Sequence, residues 1–162
     1  MSPNIHKTQI LTDVQKVRLM NLWNESYPKD LFYNELSEFK AYLNGLEDTQ
    51  NYLITENENG KIIGWLATFT RSDSRWLILI LSSENRRKGL GTILLDEAKK
   101  NESILNGWVI DSKNYTKVDG SLYPSPLNFY IKNGFKVLEK DRLDKESISA
   151  VRIFWESNQE RV

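Results

Sequence analysis

The sequence predicts one mixed α/β domain, and three observations carry that reading. The chain has 162 residues, which suits a single domain, residues 1–162, at roughly 100–200 residues per domain. Some stretches repeat apolar residues at helical spacing, while others are short solid or alternating apolar runs. The two kinds follow one another as β-α-α-β-β-β-α-β-α-β-β, with no internal repeat, low-complexity tract or linker between them. A chain of this length buries about 70% of its unfolded surface, so neither a disulfide nor a metal is needed to hold it.

Taken in order, Thr12 and Gln15 have the spacing of a capping box, and Val14, Val17, Met20 and Leu22–Trp23 follow at near-helical intervals. A helix is expected from about Asp13 to Tyr27. Leu36, Phe39 and Leu43 repeat on one face before Asn44–Gly45 supplies a stop, so a second helix is expected over Asn34 to Asn44. Asn51–Thr55, the turn-rich Glu56–Lys61 and Ile62–Thr70 read as a hairpin. Arg71–Ser74 turns into Arg75–Leu81, which is apolar at every position after Arg75 and suits a central strand covered on both faces.

A helix from Leu90 to Asn101 places Leu90, Ile93, Leu94 and Ala98 on one face, with Lys99 and Lys100 in the last turn, where cations suit the helix dipole. Gly107–Asp111 is a short buried strand. The polar connection Ser112–Pro126 is long for a compact domain, a length usually associated with function or mobility. Ser125 and Pro126 suit an N-cap and first helical residue, opening a short helix that ends at Asn133–Gly134. Strands near Phe135–Leu143 and Ser147–Trp155 close the chain.

Composition narrows the function. Lys plus Arg (22) balance Asp plus Glu (22), so no global field exists to hold a nucleic acid, and any anion site must be local. With no Cys, disulfide frameworks, Cys-ligated zinc and thiol nucleophiles are excluded, and no metal site is expected. The N-terminal residues lack a signal-peptide pattern, and no apolar run approaches the ~20 residues of a membrane span. A cytoplasmic protein without membrane contact is expected.

The chemistry concentrates at Leu77–Thr92, where a buried strand runs into Arg86, Arg87, Lys88 and a G-x-G pair, Gly89 and Gly91, at the start of a helix. Such a helix start aims free N–H groups and the positive dipole end at one point, an anion site for which a pyrophosphate is a fitting ligand. A plain basic turn is the competing reading. A Walker A loop fails because no Lys follows Gly91, and a dinucleotide-binding turn fails because Leu94 stands where its third Gly belongs.

What remains is R-x-x-G-x-G, Arg86 to Gly91, after an apolar strand and before an amphipathic helix; Tyr130, Gly134 and Phe135 follow downstream within Asn128–Leu138. In this combination the sequence resembles the GNAT superfamily, the Gcn5-related N-acetyltransferases. The resemblance implies a mixed, largely antiparallel central sheet with helices on both faces. It also implies that the main chain of Arg86, Arg87, Lys88, Gly89, Leu90, Gly91 and Thr92 holds the pyrophosphate of acetyl-CoA. Leu79 and Leu81 would receive the pantetheine arm in a slot where their strand splays from the next.

Tyr130 matches the family tyrosine that protonates the departing thiolate, and the implied reaction is direct attack of an amine on the thioester, with no covalent enzyme intermediate. For the general base the sequence offers Asp111 and Glu35, and His6 reads as a surface residue. Trp23, Tyr27, Tyr33 and Trp65 are either pocket lining or core. Tyr123 and Pro126 stand where many members have Asn and Ala, and Ser83 where Pro is frequent. The acceptor is expected to be an amine of a small molecule or peptide, and the protein a monomer or homodimer. A GNAT-like domain that binds acyl-CoA as a sensor or structural ligand, without turnover, is the alternative.

Overall fold

The computed structural model describes residues 3–56, 60–86, 88–112 and 114–157. Its elements are β1 (Ile5–Thr8), α1 (Asp13–Ser26), α2 (Leu36–Asn44), β2 (Glu47–Thr55), β3 (Ile62–Arg71), β4 (Ser74–Leu81), α3 (Leu90–Lys99), β5 (Ile104–Ile110), α4 (Leu127–Lys132), β6 (Lys136–Asp144) and β7 (Ser149–Glu156), with 3-10 turns at Lys29–Leu31 and Ser83–Asn85. The order is the expected one.

All seven strands form one sheet in the order β1-β2-β3-β4-β5-β7-β6. Every neighbouring pair is antiparallel except β4 and β5. β4 is the central strand, as its apolar run requires: Leu77, Leu79 and Leu81 pack with one cluster and Ile78 and Ile80 with another. The first cluster lies under α3 and α4 around Leu94, Leu95, Ala98, Tyr130 and Phe135. The second lies under α1 and α2 around Leu19, Leu22, Trp23 and Phe39. Side chains that alternate across a strand join the two.

Local chemistry explains the helix ends. The Thr12 capping box is complete, with Gln15 N–H donating to Thr12 Oγ1 at 3.1 Å and Thr12 N–H to Gln15 Oε1 at 2.9 Å. The buried stripe of α1 is Leu19, Leu22, Trp23 and Ser26, whereas Val14 and Val17 are exposed. These two valines precede the stretch where α1 meets the sheet, so their helical spacing carries no packing. The second helix begins at Leu36 rather than Asn34, after an extended Glu35 with no side-chain cap bond. Pro126 is the cap of α4, not its first residue, and Ser125 Oγ accepts from Leu127 N–H at 3.3 Å. Lys99 does more than meet a dipole: its ammonium donates to Asn133 O at 2.6 Å and sits over the Trp155 ring at 5.1 Å.

The parallel pair sets the site. β4 and β5 share a single register pair, Trp76 with Asn106, after which they separate. Asn106, fully buried, clamps that closed end: its Nδ2 donates to Ser74 Oγ and Arg75 O, both at 2.9 Å, and its Oδ1 accepts from Arg152 at 2.7 and 3.0 Å. Among the described residues no helix is long and apolar enough to cross a membrane.

Candidate active site

Beyond the closed end, β4 turns a bare edge toward the gap. Ser82 N–H donates to Ile63 O on β3 at 2.9 Å, and strand alternation places the Ile80 and Ile78 N–H groups on that same side. The main-chain groups of Leu79 and Leu81 therefore face the gap. Consistent with this, the buried Ser26 hydroxyl, from the last turn of α1, approaches Leu81 O at 3.5 Å.

The gap opens into a cavity of about 700 Å³. Leu79, Ile80 and Leu81 form one side, Ser83, Arg86 and Gly89–Thr92 a second, Tyr123–Pro126 with Phe129 and Tyr130 a third, and Ser26 with Tyr27 the last. The first helical bond of α3 is Ile93 N–H to Gly89 O at 3.1 Å. The N–H groups of Leu90, Gly91 and Thr92 precede it and have no helical acceptor, which leaves an electropositive helix end at the cavity.

The two glycines play different parts. Gly89 caps α3 at φ 79° with an open Cβ direction, nothing lying within 4 Å. A Cβ on Gly91 would meet the Phe129 ring at 2.8 Å and Leu81 Cδ1 at 3.3 Å. Close approach to the main chain is thus a property of Gly89, while Gly91 lets α3 pack on α4. Arg86 lines the cavity, Lys88 is exposed with its ammonium on Asn85 Oδ1 at 3.3 Å, and Arg87 lies outside the described residues.

Tyr130, at 5% exposure, packs edge-on against Phe129 and Phe135. Its hydroxyl makes no hydrogen bond to the described residues, and no fully buried side-chain polar atom among them lacks a partner. The hydroxyl is therefore the part of Tyr130 that opens into the cavity. Burial, then the neighbouring Tyr123, raises its pKa above the ordinary phenol value. Burial likewise raises Tyr27 well above that value and pushes Tyr123 up to about 12. The rings of Tyr27 and Tyr123 lie 6.3 Å apart.

The two carboxylates read from the sequence are not brought here. Asp111 is bound by both terminal guanidinium nitrogens of Arg142 at 3.0 Å, and that pairing lowers its pKa, away from what a base near neutrality needs. Glu35 is exposed at the start of α2, and neither residue lines the cavity. His6 is exposed on β1. Of the four aromatics, Tyr27 lines the cavity; Trp23 and Trp65 are buried core, and Tyr33 packs against Trp23. Ser26, Ser125 and Phe129 also line it; the sequence offers Ser125 only as a helix cap and gives Ser26 and Phe129 no part in the site. Ser26 falls on the buried stripe of α1, which is the signal that finds it.

This splayed pair with a helix start at its mouth is the arrangement that the resemblance to the GNAT superfamily implies. Residues 48–137 match the family model described as acetyltransferase (GNAT) domain, and the chain belongs to that family. The fold is shared along its length by solved structures at low identity. An aminoglycoside 6'-N-acetyltransferase complexed with coenzyme A has 13% identity and a TM-score of 0.68, over 98% of this chain and 99% of that one. The ribosomal-protein-S18-alanine N-acetyltransferase from Escherichia coli has 16% identity and 0.65, over 98% and 97%. The aminoglycoside 6'-N-acetyltransferase from Enterococcus faecium has 13% identity and 0.66, over 98% and 99%. No curated protein sequence matches the chain.

Proposed function

We propose that the protein transfers an acetyl group from acetyl-CoA to a primary amine of a small molecule or peptide by direct attack. One observation carries this reading: a single cavity joins the bare edge of β4, the open N-terminus of α3 and the hydroxyl of Tyr130. The main chain around Gly89–Thr92, with Arg86, holds the pyrophosphate, as charge-assisted donors suit it; Arg87 and Lys88 add positive charge. The pantetheine arm lies along Leu79 and Leu81, whose amides pair with it as a strand would. Ser26 is placed to take part in the same pairing.

In the reaction an N–C bond forms as a neutral amine attacks the thioester carbonyl. A β4 N–H stabilises the oxyanion, and the C–S bond then breaks. Tyr130 gives its proton to the thiolate. Burial keeps the phenol protonated at rest, and the same low-polarity setting raises the basicity of a thiolate formed beside it, so donor and acceptor shift together. The amine leaves its own proton to solvent, and Tyr130 regains one from solvent, which restores the phenol and closes the proton balance. Among the described residues no carboxylate or His lines the cavity, an observation that also favours the second reading, an acyl-CoA sensor without turnover. Asp111 and Glu35 would act only on an acceptor reaching outside the cavity.

The protein is proposed to work in the cytoplasm as a single domain, monomeric or dimeric, without nucleic acid or membrane. Acetyl-CoA is expected to raise the melting temperature, since a ligand held by the native state stabilises it, and CoA thiol release across a panel of polyamines, aminoglycosides, amino acids and peptide N-termini then identifies the acceptor. No thermal shift at about millimolar acetyl-CoA sinks both readings. A shift without thiol release from any amine leaves the sensor.

A further inference from the structure

Two phenols in the cavity have no part in the transfer step, and both are held in place. Tyr27 caps α1, where its N–H donates to Trp23 O at 3.0 Å and its ring meets the Trp23 ring edge-on at 4.6 Å. Tyr123, 7% exposed, belongs to the segment after β5. Its N–H donates to Tyr115 O at 2.9 Å, and the Tyr115 hydroxyl accepts from Ser149 N–H on β7 at 2.8 Å. The rings of Tyr27 and Tyr123 lie 6.3 Å apart at 49° and share one apolar cluster with Ile110 and Ala150. As with Tyr130, neither hydroxyl makes a hydrogen bond to the described residues, and neither is a fully buried atom without a partner. Both therefore open into the cavity that their side chains line.

The charge around these phenols has one sign. Arg86 is the only charged side chain among the described residues that line the cavity. Burial pushes the Tyr123 phenol up, and Arg86 is close enough to oppose that rise. The α3 terminus adds its positive end. The cosubstrate's pyrophosphate offsets both, and what is left are phenols that burial keeps protonated: Tyr27, Tyr123, Tyr130 and, beside Tyr27 on α2, Tyr42. Such groups offer an ammonium neither a counter-charge nor a base, and burying an ammonium unpaired is costly. A neutral amine carries no such cost. It has two N–H donors and one lone pair, and a phenol oxygen can accept while keeping its own proton.

We propose that Tyr27 and Tyr123 seat the acceptor nitrogen as a neutral primary amine, so that the acceptor is an amine of low basicity, of the α-amino class rather than the alkyl ε-amino class. The proposal rests on the acyl-transfer reading above. The two phenol oxygens take the two N–H groups and leave the lone pair to form the N–C bond. One of those hydrogens passes to solvent as the C–S bond breaks. At pH 7 about a tenth of α-amines are neutral, against roughly one ε-amine in 2,500, so the seat selects by basicity before it selects by shape.

The test follows thiol release from acetyl-CoA by the full-length protein with three small amines: alaninamide, its secondary-amine isomer sarcosinamide, and butylamine. Alaninamide exceeds butylamine in kcat/KM at pH 7 by roughly tenfold or more. Butylamine then gains about tenfold per pH unit from about pH 7 to 9, while alaninamide levels off near about pH 8, each following its own neutral fraction. Tyr27→Phe and Tyr123→Phe keep the rings. Each raises the KM for alaninamide roughly three- to tenfold, the loss of one neutral hydrogen bond, narrows its lead over sarcosinamide, and leaves the thermal shift by acetyl-CoA in place. Equal pH profiles for alaninamide and butylamine overturn the proposal, because a group on the protein then takes the proton. So does an unchanged KM in both variants, or a lost acetyl-CoA shift in Tyr123→Phe, which gives that hydroxyl to the pantetheine arm. Thiol release with none of the three amines, beside an intact acetyl-CoA shift, removes the transfer reading itself and this inference with it.

Discussion

Tyr130 is where fold and chemistry meet in one side chain: its ring is core between Phe129 and Phe135, and its hydroxyl is cavity. Tyr130→Phe keeps the ring, so acetyl-CoA affinity should stay within a few-fold while thiol release falls by roughly 10²-fold or more, the usual worth of a positioned acid. Parallel losses in binding and release would mean that Tyr130 only packs. The raised pKa of Tyr130, with those of Tyr27 and Tyr123, also gives stability a direction in pH. The folded state holds these protons more tightly than the unfolded chain, so the contribution is complete below about pH 10 and fades as pH rises past it. Melting temperature should therefore drop steeply above about pH 10, with phenolate absorbance appearing together with unfolding. The glycines differ in what an added methyl group meets. Gly89→Ala, left-handed and with its Cβ in the open space where the ligand meets the main chain, should cost about 1–2 kcal/mol in urea unfolding and weaken acetyl-CoA. Gly91→Ala, pushing on Phe129, should cost about 1–3 kcal/mol and weaken acetyl-CoA as well.

Between elements, the decisive feature is how abruptly β4 and β5 part. Asn106 holds the closed end through Ser74, Arg75 and Arg152, and Arg152 in turn sits 5.3 Å from the Trp76 ring and 2.7 Å from Asp141. Asn106→Ala strands these buried partners. It should cost about 1–3 kcal/mol, a melting-temperature drop of roughly 2–12 °C. Acetyl-CoA affinity should fall with it, because the slot then has no fixed floor. Unchanged affinity in a destabilised variant would separate clamp from slot. The strand and helix flanking the loop were legible from Leu77 to Thr92 because a solid apolar run, a left-handed glycine and an amphipathic repeat are local signals. The Asn106 clamp was not, since its partners lie 31, 32 and 46 residues away. Asp111 read as a free strand-end carboxylate for the same reason: Arg142, 31 residues on, claims it. The segment 114–126 has no periodicity to read, and its place is set by long-range contacts, Lys29 N–H to Thr116 O and Ser149 N–H to Tyr115 Oη, both at 2.8 Å.

At the scale of the whole molecule, the question is whether two helical layers make one folding unit. Adjacent residues of β3 answer it: Trp65 is buried in the α1/α2 cluster and Leu66 in the α3/α4 cluster, both fully. Leu53 and Ile54 divide in the same way on β2. Neither layer can be lifted off without exposing strand residues whose neighbours belong to the other, so their apolar surfaces must be lost together. Residues 1–162 are accordingly expected to unfold as a single domain in one cooperative step. Far-ultraviolet circular dichroism reports the sheet and helices throughout. Tryptophan fluorescence reports both layers, through Trp23 and Trp65 on one side and Trp155 on the other. The two transitions should coincide in urea, and acetyl-CoA should move them by the same amount, because the cavity takes walls from α1, β4, α3 and α4 at once. Separate midpoints, or a ligand that shifts one probe alone, would divide the chain into two units and detach the α1 wall from the rest of the site.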